Sequence, residues 1–345
     1  MYALILAGGF ATRLWPITKD FPKPLLPLGR KRIIEFVIEK IGNIEGLKKI
    51  FISTNEAFQR IFGKWIKESE YAKSESMFEL IIEPTRAEEE KLGAIRGINY
   101  DLQRIFSMYE TDDILIVAGD NVPSINFKAF IDFYRKVNCP LVAVYEVESY
   151  EVMKKLGEVS VDESGKVIGF REKPKQPKSK LAATAIYMIP KDMVNLFEVY
   201  LKEGRNPDAP GYFFEWLSKN YDVYAYKFSG YWFDIGSLEG YISALKTLLT
   251  DNYISPSADI RGKIIPPVCI GEGVRIDSGS EVGPYAIIER GVEIHSSRIH
   301  SSLIMEGSEI RSSTISESMV GYKSKITGGK ISRSILSSHT KLNII

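Results

Sequence analysis

An aliphatic residue recurs every six positions through the C-terminal part of the chain: Ile264, Ile270, Ile276, Val282, Ile288 and Ile294. The interval then tightens to a repeating five, five, six, through Ile299, Ile304, Ile310, Ile315, Val320, Ile326, Ile331, Leu336 and Leu342. Neither period matches the 3.6 of a helix or the 2 of a flat strand. A six-residue interval fits a left-handed parallel β-helix, in which each hexapeptide forms one face of a triangular coil and turns one aliphatic side chain inward. Stacked coils share one continuous core, so a fixed period is a strong repeat signal. A sandwich of ordinary short strands, the competing reading, has no need of it. The pattern begins near Ile254, which divides the chain into residues 1–250 and 251–345.

The first part alternates. Tyr2 to Ala7, Lys49 to Ser53, Phe78 to Ile82 and Ile114 to Ala118 are short apolar runs that read as buried strands. Between them, Ile34, Val37, Ile38 and Ile41, then Phe58, Ile61, Phe62, Trp65 and Ile66, recur at helical spacing, and a third helix covers 92–106. Trp65 is therefore a packing residue rather than a base-stacking one. Strands alternating with helices give an α/β fold, a Rossmann-like, doubly wound, mostly parallel sheet. Ligands of such sheets sit beyond the carboxyl ends of the strands. Further on, Glu158 to Asp162 and Val167 to Glu172 flank a turn and read as a hairpin, Leu181 to Ile189 as another strand, and Ser237 as the N-cap of a helix reaching Thr250.

Composition narrows the function classes. A net charge of +1 argues against a nucleic-acid binder. Cys139 and Cys269 fit no metal or redox spacing, as in a reduced intracellular protein. The N-terminus enters a core strand at once and no apolar run approaches membrane-spanning length, so the expectation is a cytoplasmic chain without signal peptide or membrane anchor.

The chemistry concentrates where the first strand ends. Gly8-Gly9 lets the backbone approach a ligand and offers unblocked N–H groups. Thr12, Arg13 and Lys23, the last between two prolines, add a hydroxyl, a guanidinium and an ammonium, all phosphate-binding groups. The loop is neither a Walker A sequence nor a G-x-G-x-x-G dinucleotide loop.

The pattern L-A-G-G-x-x-T-R-L-x-P-x-T, with P-K-P after it, resembles the signature of sugar-1-phosphate nucleotidyltransferases, some of which carry a β-helical tail. The resemblance implies a nucleotide site made by Leu6, Ala7, Gly8, Gly9, Ala11, Thr12, Arg13, Lys23, Glu83 and Gly93. Ala11 stands where the family often has Gly. Leu92-Gly93-Ala94-Ile95-Arg96-Gly97 partly matches the family's base-reading L-G-T-A-G-A. Relatives that use pyrimidine nucleotides often have Gln just upstream of this turn. Glu83 is an acceptor able to take the N–H edge of guanine, which points towards a purine.

Two further segments resemble family elements. Ala118-Gly119-Asp120-Asn121 and Trp232-Phe233-Asp234-Ile235-Gly236 carry Asp120 and Asp234, which the resemblance makes ligands of Mg2+. The run L-G-E-V-x-V-D-x-x-G-x-V-x-x-F-x-E-K-P resembles the sugar-binding hairpin. It implies that Gly157 approaches the hexose, Glu172 binds its hydroxyls and Lys173 binds its phosphate. Where many relatives have Asn-Ala-Gly-Ile-Tyr, this chain has Ala183-Thr184-Ala185-Ile186-Tyr187. Thr184 either supplies a hydroxyl to the sugar or faces the core.

The implied reaction joins a nucleoside triphosphate (GTP, or dTTP or UTP) to a hexose 1-phosphate (glucose or mannose), releasing pyrophosphate. Arg13, Lys23, Asp120 and Asp234 are its catalytic candidates. The altered segments at Ala94 to Gly97 and Ala183 to Ala185 motivate a second reading, a non-catalytic sugar-nucleotide sensor or regulatory subunit. A third is a bifunctional enzyme whose tail is an acetyltransferase, with His295, His300 and His339 at polar repeat positions. Retention of all four phosphate- and metal-binding candidates favours the first, with the β-helix expected to form a homo-oligomer.

Overall fold

The computed structural model describes residues 1–70 and 77–344. Two compact units emerge: Met1–Gly9 with Val37–Trp232, and Phe10–Phe36 with the chain from Phe233 onwards. The segment carrying Arg13 and Lys23 thus groups with the C-terminal repeat, although it precedes most of the sheet in sequence.

The first unit is built on a nine-stranded mixed sheet. Its strands are β1 (Tyr2–Leu6), β2 (Lys49–Asn55), β3 (Phe78–Glu83), β4 (Ile114–Ala118), β5 (Leu141–Glu146), β6 (Gly157–Val161), β7 (Val167–Glu172), β8 (Leu181–Ile189) and β9 (Tyr224–Phe228). They run in the order β7-β6-β8-β4-β1-β2-β3, with β5 pairing β8 and β9. The β4-β1-β2-β3 part is parallel, as near-continuous apolar runs require. β8 is antiparallel to β4, β5 and β6. Helices α1 (Gln59–Glu68), α2 (Ala94–Met108), α3 (Phe127–Val137), α4 (Leu196–Lys202) and α5 (Pro210–Asn220) accompany the sheet. Ile95, Ile98, Leu102 and Ile105 of α2 share a core with Tyr2, Leu4, Ile114 and Ile116. Trp65 packs edge-on against buried Phe62, with ring centroids 6.3 Å apart.

The second unit holds a parallel β-helix of three sheets with six, six and five strands. One inward column runs Ile254, Ile270, Ile288, Ile304, Val320, Leu336, and the next Ile260, Ile276, Ile294, Ile310, Ile326, Leu342. Ile264, Val282, Ile299, Ile315 and Ile331 form the third. From Ile264 onwards these are the residues the period selects; Ile254 and Ile260 extend two columns by one coil. The five-residue intervals have a physical cause. At each, a residue with positive φ (Ser296, Ser301, Ser312, Glu317 or Arg333 among them) turns the corner in a left-handed conformation. A serine follows it at all but the Ile326–Ile331 corner, where Gly328 and Gly329 turn the chain. Ser297, Ser302, Ser313 and Ser318 each donate to the carbonyl two residues back at 2.7 Å. Ser297, Ser302 and Ser318 each accept an N–H from the serine sixteen residues on, at 3.0 to 3.1 Å. Buried corner groups are thereby satisfied coil to coil.

Candidate active site

In the first unit, the ends of β1 and β4 lie side by side, with Leu6 opposite Ala118. Gly119 N–H donates to Leu6 O at 2.9 Å. A Cβ at Gly119 would sit 2.9 Å from Ile5 Cγ2 and 3.1 Å from Leu6 O, so this approach requires glycine. Half-buried Asp120 comes next, at the carboxyl end of the strand. Asn121 is buried, donates to Thr184 O at 3.2 Å, and its Oδ1 has no partner among the described residues. Across the sheet, Asn55 donates to Gly8 O at 2.9 Å and Ser53 O accepts from Ala7 N–H at 2.8 Å, which pins the start of the glycine loop.

Glu83 ends β3 and reaches that loop. Its carboxyl lies against two glycines: a Cβ on Gly8 would be 3.1 Å, and on Gly97 3.0 Å, from Oε1. Ser53 Oγ donates to the same oxygen at 3.0 Å. Burial raises the pKa of Glu83 and the Ser53 hydrogen bond opposes the rise. Gly93, with φ of 83°, opens α2 against Pro207 O, which accepts from Ile95 N–H at 2.9 Å. A Cβ there would lie 2.9 Å from that carbonyl oxygen.

The hairpin β6–β7 builds a second seat of the same kind. Glu172 lies against Gly157, where a Cβ would be 3.1 Å from Oε2, and against Gly211 of α5, where it would be 1.8 Å away. Lys173 Nζ is 3.8 Å from Glu172 Oε1. The carboxyl side of this pair is 9% exposed and the ammonium side 57%, so the cation stands at the surface over a buried anion. Burial raises the Glu172 pKa, Lys173 lowers it and Glu215 raises it further. Lys173 has φ of 47°, a strained backbone of the sort found at working sites. Thr184 faces the core: it is fully buried and its hydroxyl donates to Ala143 O at 2.9 Å, so it has no hydroxyl to offer a sugar. Ala185 has φ of 55° at a register shift in β8.

In the second unit, Ala11 has φ of 49° and starts the short turn Thr12–Leu14, closed by Leu14 N–H to Ala11 O at 2.9 Å and Thr18 Oγ1 to Ala11 O at 2.8 Å. Arg13 and Thr12 are exposed, whereas Lys23 is 7% exposed. The Arg13 guanidinium lies against Gly236, whose added Cβ would meet Nη2 at 2.7 Å. This brings Arg13 to the turn after Asp234. Asp234 itself is exposed. It ends a short strand (Trp232–Asp234) whose two apolar residues are half-buried. Ser237 caps the helix α6 (Leu238–Leu248), accepting from Gly240 N–H at 3.2 Å.

The cationic segment is fastened to the β-helix. Arg32 pairs with Glu289 at 2.8 Å, Phe21 packs on Tyr322 with centroids 5.3 Å apart, and the Arg30 guanidinium lies 4.4 Å from the Tyr253 ring centre. None of these pairs has a signal in the sequence. Gly211, Ser53 and Asn55 were likewise invisible there, because each matters through a partner distant in sequence.

Hard carboxylate oxygens such as those of Asp120 and Asp234 suit a magnesium ion, which takes few protein ligands and completes its shell from phosphates and water. Among the described residues no cluster of three or more His, Cys, Asp or Glu side chains could hold a metal by itself. His295 lies 3.4 Å from Glu293 Oε2 and 3.7 Å from Asp277 Oδ2 in the β-helix wall.

The nucleotidyl transferase family model matches residues 2–251, and the model described as the GMPPB C-terminal domain matches residues 264–342. A glucose-1-phosphate adenylyltransferase of Clostridium acetobutylicum is 29% identical over 258 residues, covering 72% of this chain and 67% of its own. One from Desulforamulus reducens is 26% identical over 344 residues, covering 88% and 84%. A Bacillus anthracis protein assigned as a glucose-1-phosphate thymidylyltransferase superposes with a TM-score of 0.61 at 22% identity, over 74% of this chain and 98% of its own. A UDP-glucose pyrophosphorylase superposes with a TM-score of 0.58 at 23% identity, over 70% and 96%. At these identities the superpositions establish the shared fold.

Proposed function

Because this chain belongs to the nucleotidyl transferase family, we propose that it is an enzyme joining a nucleoside triphosphate to a hexose 1-phosphate with release of pyrophosphate. The observation that supports the reading is the Glu83 carboxyl seated on Gly8, which brings the carboxyl proposed to read the base to the glycine loop proposed to hold the phosphates. The β-helix and the sugar-phosphate hairpin fit the same family.

A sugar-phosphate oxygen attacks the α-phosphorus in line. A phosphate monoester has a second pKa of about 6 and is largely dianionic at neutral pH, so it needs no general base. Catalysis comes from positioning and charge neutralisation. Lys173 neutralises the incoming phosphate and lowers the repulsion between two anions. Glu172 accepts from sugar hydroxyls and orients the ring. Arg13 and Lys23 hold the triphosphate and stabilise charge on the departing pyrophosphate. Asp120 and Asp234 would be the carboxylates that hold Mg2+, which would supply charge neutralisation and Lewis-acid polarisation at the phosphoryl group.

The named relatives span adenylyl, thymidylyl and uridylyl transfer, so the base must be argued from the site. Ionised Glu83 is acceptor-only and matches the two N–H groups on the edge of guanine. The reading is tested by pyrophosphate release with Mg2+ across GTP, ATP, dTTP, UTP and CTP against glucose 1-phosphate and mannose 1-phosphate. GTP with one of the two sugars is the expected productive pair. Silence across the matrix from folded protein would overturn it. Arg13→Ala is expected to lower kcat by about 100-fold or more, with the melting temperature unchanged.

A further inference from the structure

Asp101 lies in the middle of α2 with no exposed surface, and among the described residues no donor stands in hydrogen-bonding geometry to either of its carboxyl oxygens. It is four residues after Gly97, so it shares a helix face with the glycine on which the Glu83 carboxyl rests. Ser53 connects the two. Its hydroxyl donates to Glu83 Oε1 at 3.0 Å, and the same Ser53 pulls the Asp101 pKa down against the rise caused by burial.

A serine hydroxyl has one proton to give and lone pairs with which to accept. Here the proton is committed to Glu83. An ionised Asp101, being an acceptor only, would be a buried charge competing with Glu83 for that one proton, with a second carboxylate nearby. A protonated Asp101 can donate to a lone pair of Ser53. Only the acid form satisfies the group.

We propose that Asp101 is a positioning residue for nucleobase selection: it stays protonated at neutral pH and donates through Ser53 to Glu83, so the single negative charge rests on Glu83 and an acceptor-only edge meets the base. The proposal rests on the reading of Glu83 as the base-contacting group. Guanine presents two adjacent N–H donors to such an edge. Adenine, uracil and thymine each set a lone pair beside their donor, which an acceptor-only group repels.

The surrounding groups support this placement of the proton. Burial, then Glu83, push the Asp101 pKa well above the usual carboxylate range, against a smaller pull from Ser53. Glu83 is raised by burial alone and is partly exposed. It also faces the first turn of α2, where a helix favours negative charge, while Asp101 lies a turn deeper. No Lys, Arg or His acts on either carboxyl among the described residues.

The test measures kcat/KM for GTP and for ATP between about pH 5 and pH 9, the span over which perturbed carboxyls titrate. For the native chain, the GTP preference should fall on the acid side as Glu83 takes a proton, and on the alkaline side as Asp101 ionises and competes for Ser53. In Asp101→Asn the amide N–H donates to Ser53 at every pH, so the preference should persist and the alkaline limb should vanish. An alkaline limb unchanged in Asp101→Asn, or an ATP preference in the native chain, overturns the proposal. Glu83→Gln should lower the GTP-to-ATP ratio at least about tenfold. An unchanged ratio would show that Glu83 does not read the base, and would overturn the proposal at that premise.

A second readout does not depend on turnover. Infrared difference spectra should show a buried protonated carboxyl at neutral pH that is retained in Glu83→Gln and lost in Asp101→Asn. Its absence from the native chain overturns the protonation claim. If no nucleotide releases pyrophosphate while the band behaves as expected, the functional reading fails and the neutral Asp101 stands.

Discussion

Glu83 and Glu172 occupy seats of the same design and differ in what stands behind them. Each ends a strand, each carboxyl is pressed between two glycines from different elements, and burial raises the pKa of both. Glu172 has an ammonium 3.8 Å away that compensates its charge. Glu83 has a serine and a fully buried second carboxyl. Glycines make room for a carboxyl; the neighbour decides its charge. On the proposed reading this suits the two jobs, since the sugar phosphate needs a cation beside the carboxylate and the base needs none.

The comparison can be broken at the glycines first. Gly211→Ala places a Cβ 1.8 Å from Glu172 Oε2, so the carboxyl must leave its seat. The expected result is a fall in kcat/KM for the hexose 1-phosphate of about 100-fold, from misplacement of a positioning group. Stability should hold, because the obstructed atom ends a flexible side chain and Ala suits a helix better than Gly. Gly97→Ala makes only a 3.0 Å contact with Glu83 and should cost about tenfold or less, chiefly in nucleotide KM. Equal losses in the two variants would end the claim that the Glu172 seat is the tighter.

A charge test sharpens the comparison. A carboxyl whose pKa is raised on folding destabilises the native state above its folded pKa, and the penalty disappears as pH falls through that value. Glu172→Gln should therefore raise the melting temperature near pH 8, with the gain gone by about pH 4, where the unfolded carboxyl titrates. A gain that grew on acidification would reverse the sign and refute the assigned shift. The smallest effect concerns the backbone. Ala185 has φ of 55°, a conformation costing an L-residue roughly 1–2 kcal/mol. Ala185→Gly should relieve that strain against its entropic cost, leaving stability within about 1 kcal/mol of the native chain in denaturant melts.

The β-helix was legible to the residue, because its core repeats along one dimension and each inward aliphatic is announced by its neighbours in sequence. The strand and helix order of the first unit followed from period and composition, and the glycine loop from local chemistry. Asp234 is exposed although it stands between apolar residues in sequence, because neighbours in sequence are not neighbours in space for a residue that ends a strand. Thr184 stood equally open to the sugar or to the core until its bond to Ala143 O was seen. Gly211, Ser53 and Asp101 carry no local pattern at all: a glycine in a helix and an aspartate among apolar residues are unremarkable until the opposing carboxyl is in view.

The fastening of the segment 10–36 has a further consequence. Its contacts on the β-helix, Glu289 for Arg32 and Tyr322 for Phe21, lie two coils apart on the column Ile288, Ile304, Val320. Those two coils act as a ruler for the stretch of chain that carries Arg13 and Lys23. Inserting or deleting a coil between them would let the parallel stacking continue and still break the measurement, whereas coils added beyond Tyr322 would leave it intact. The solenoid is free to change length at its far end only.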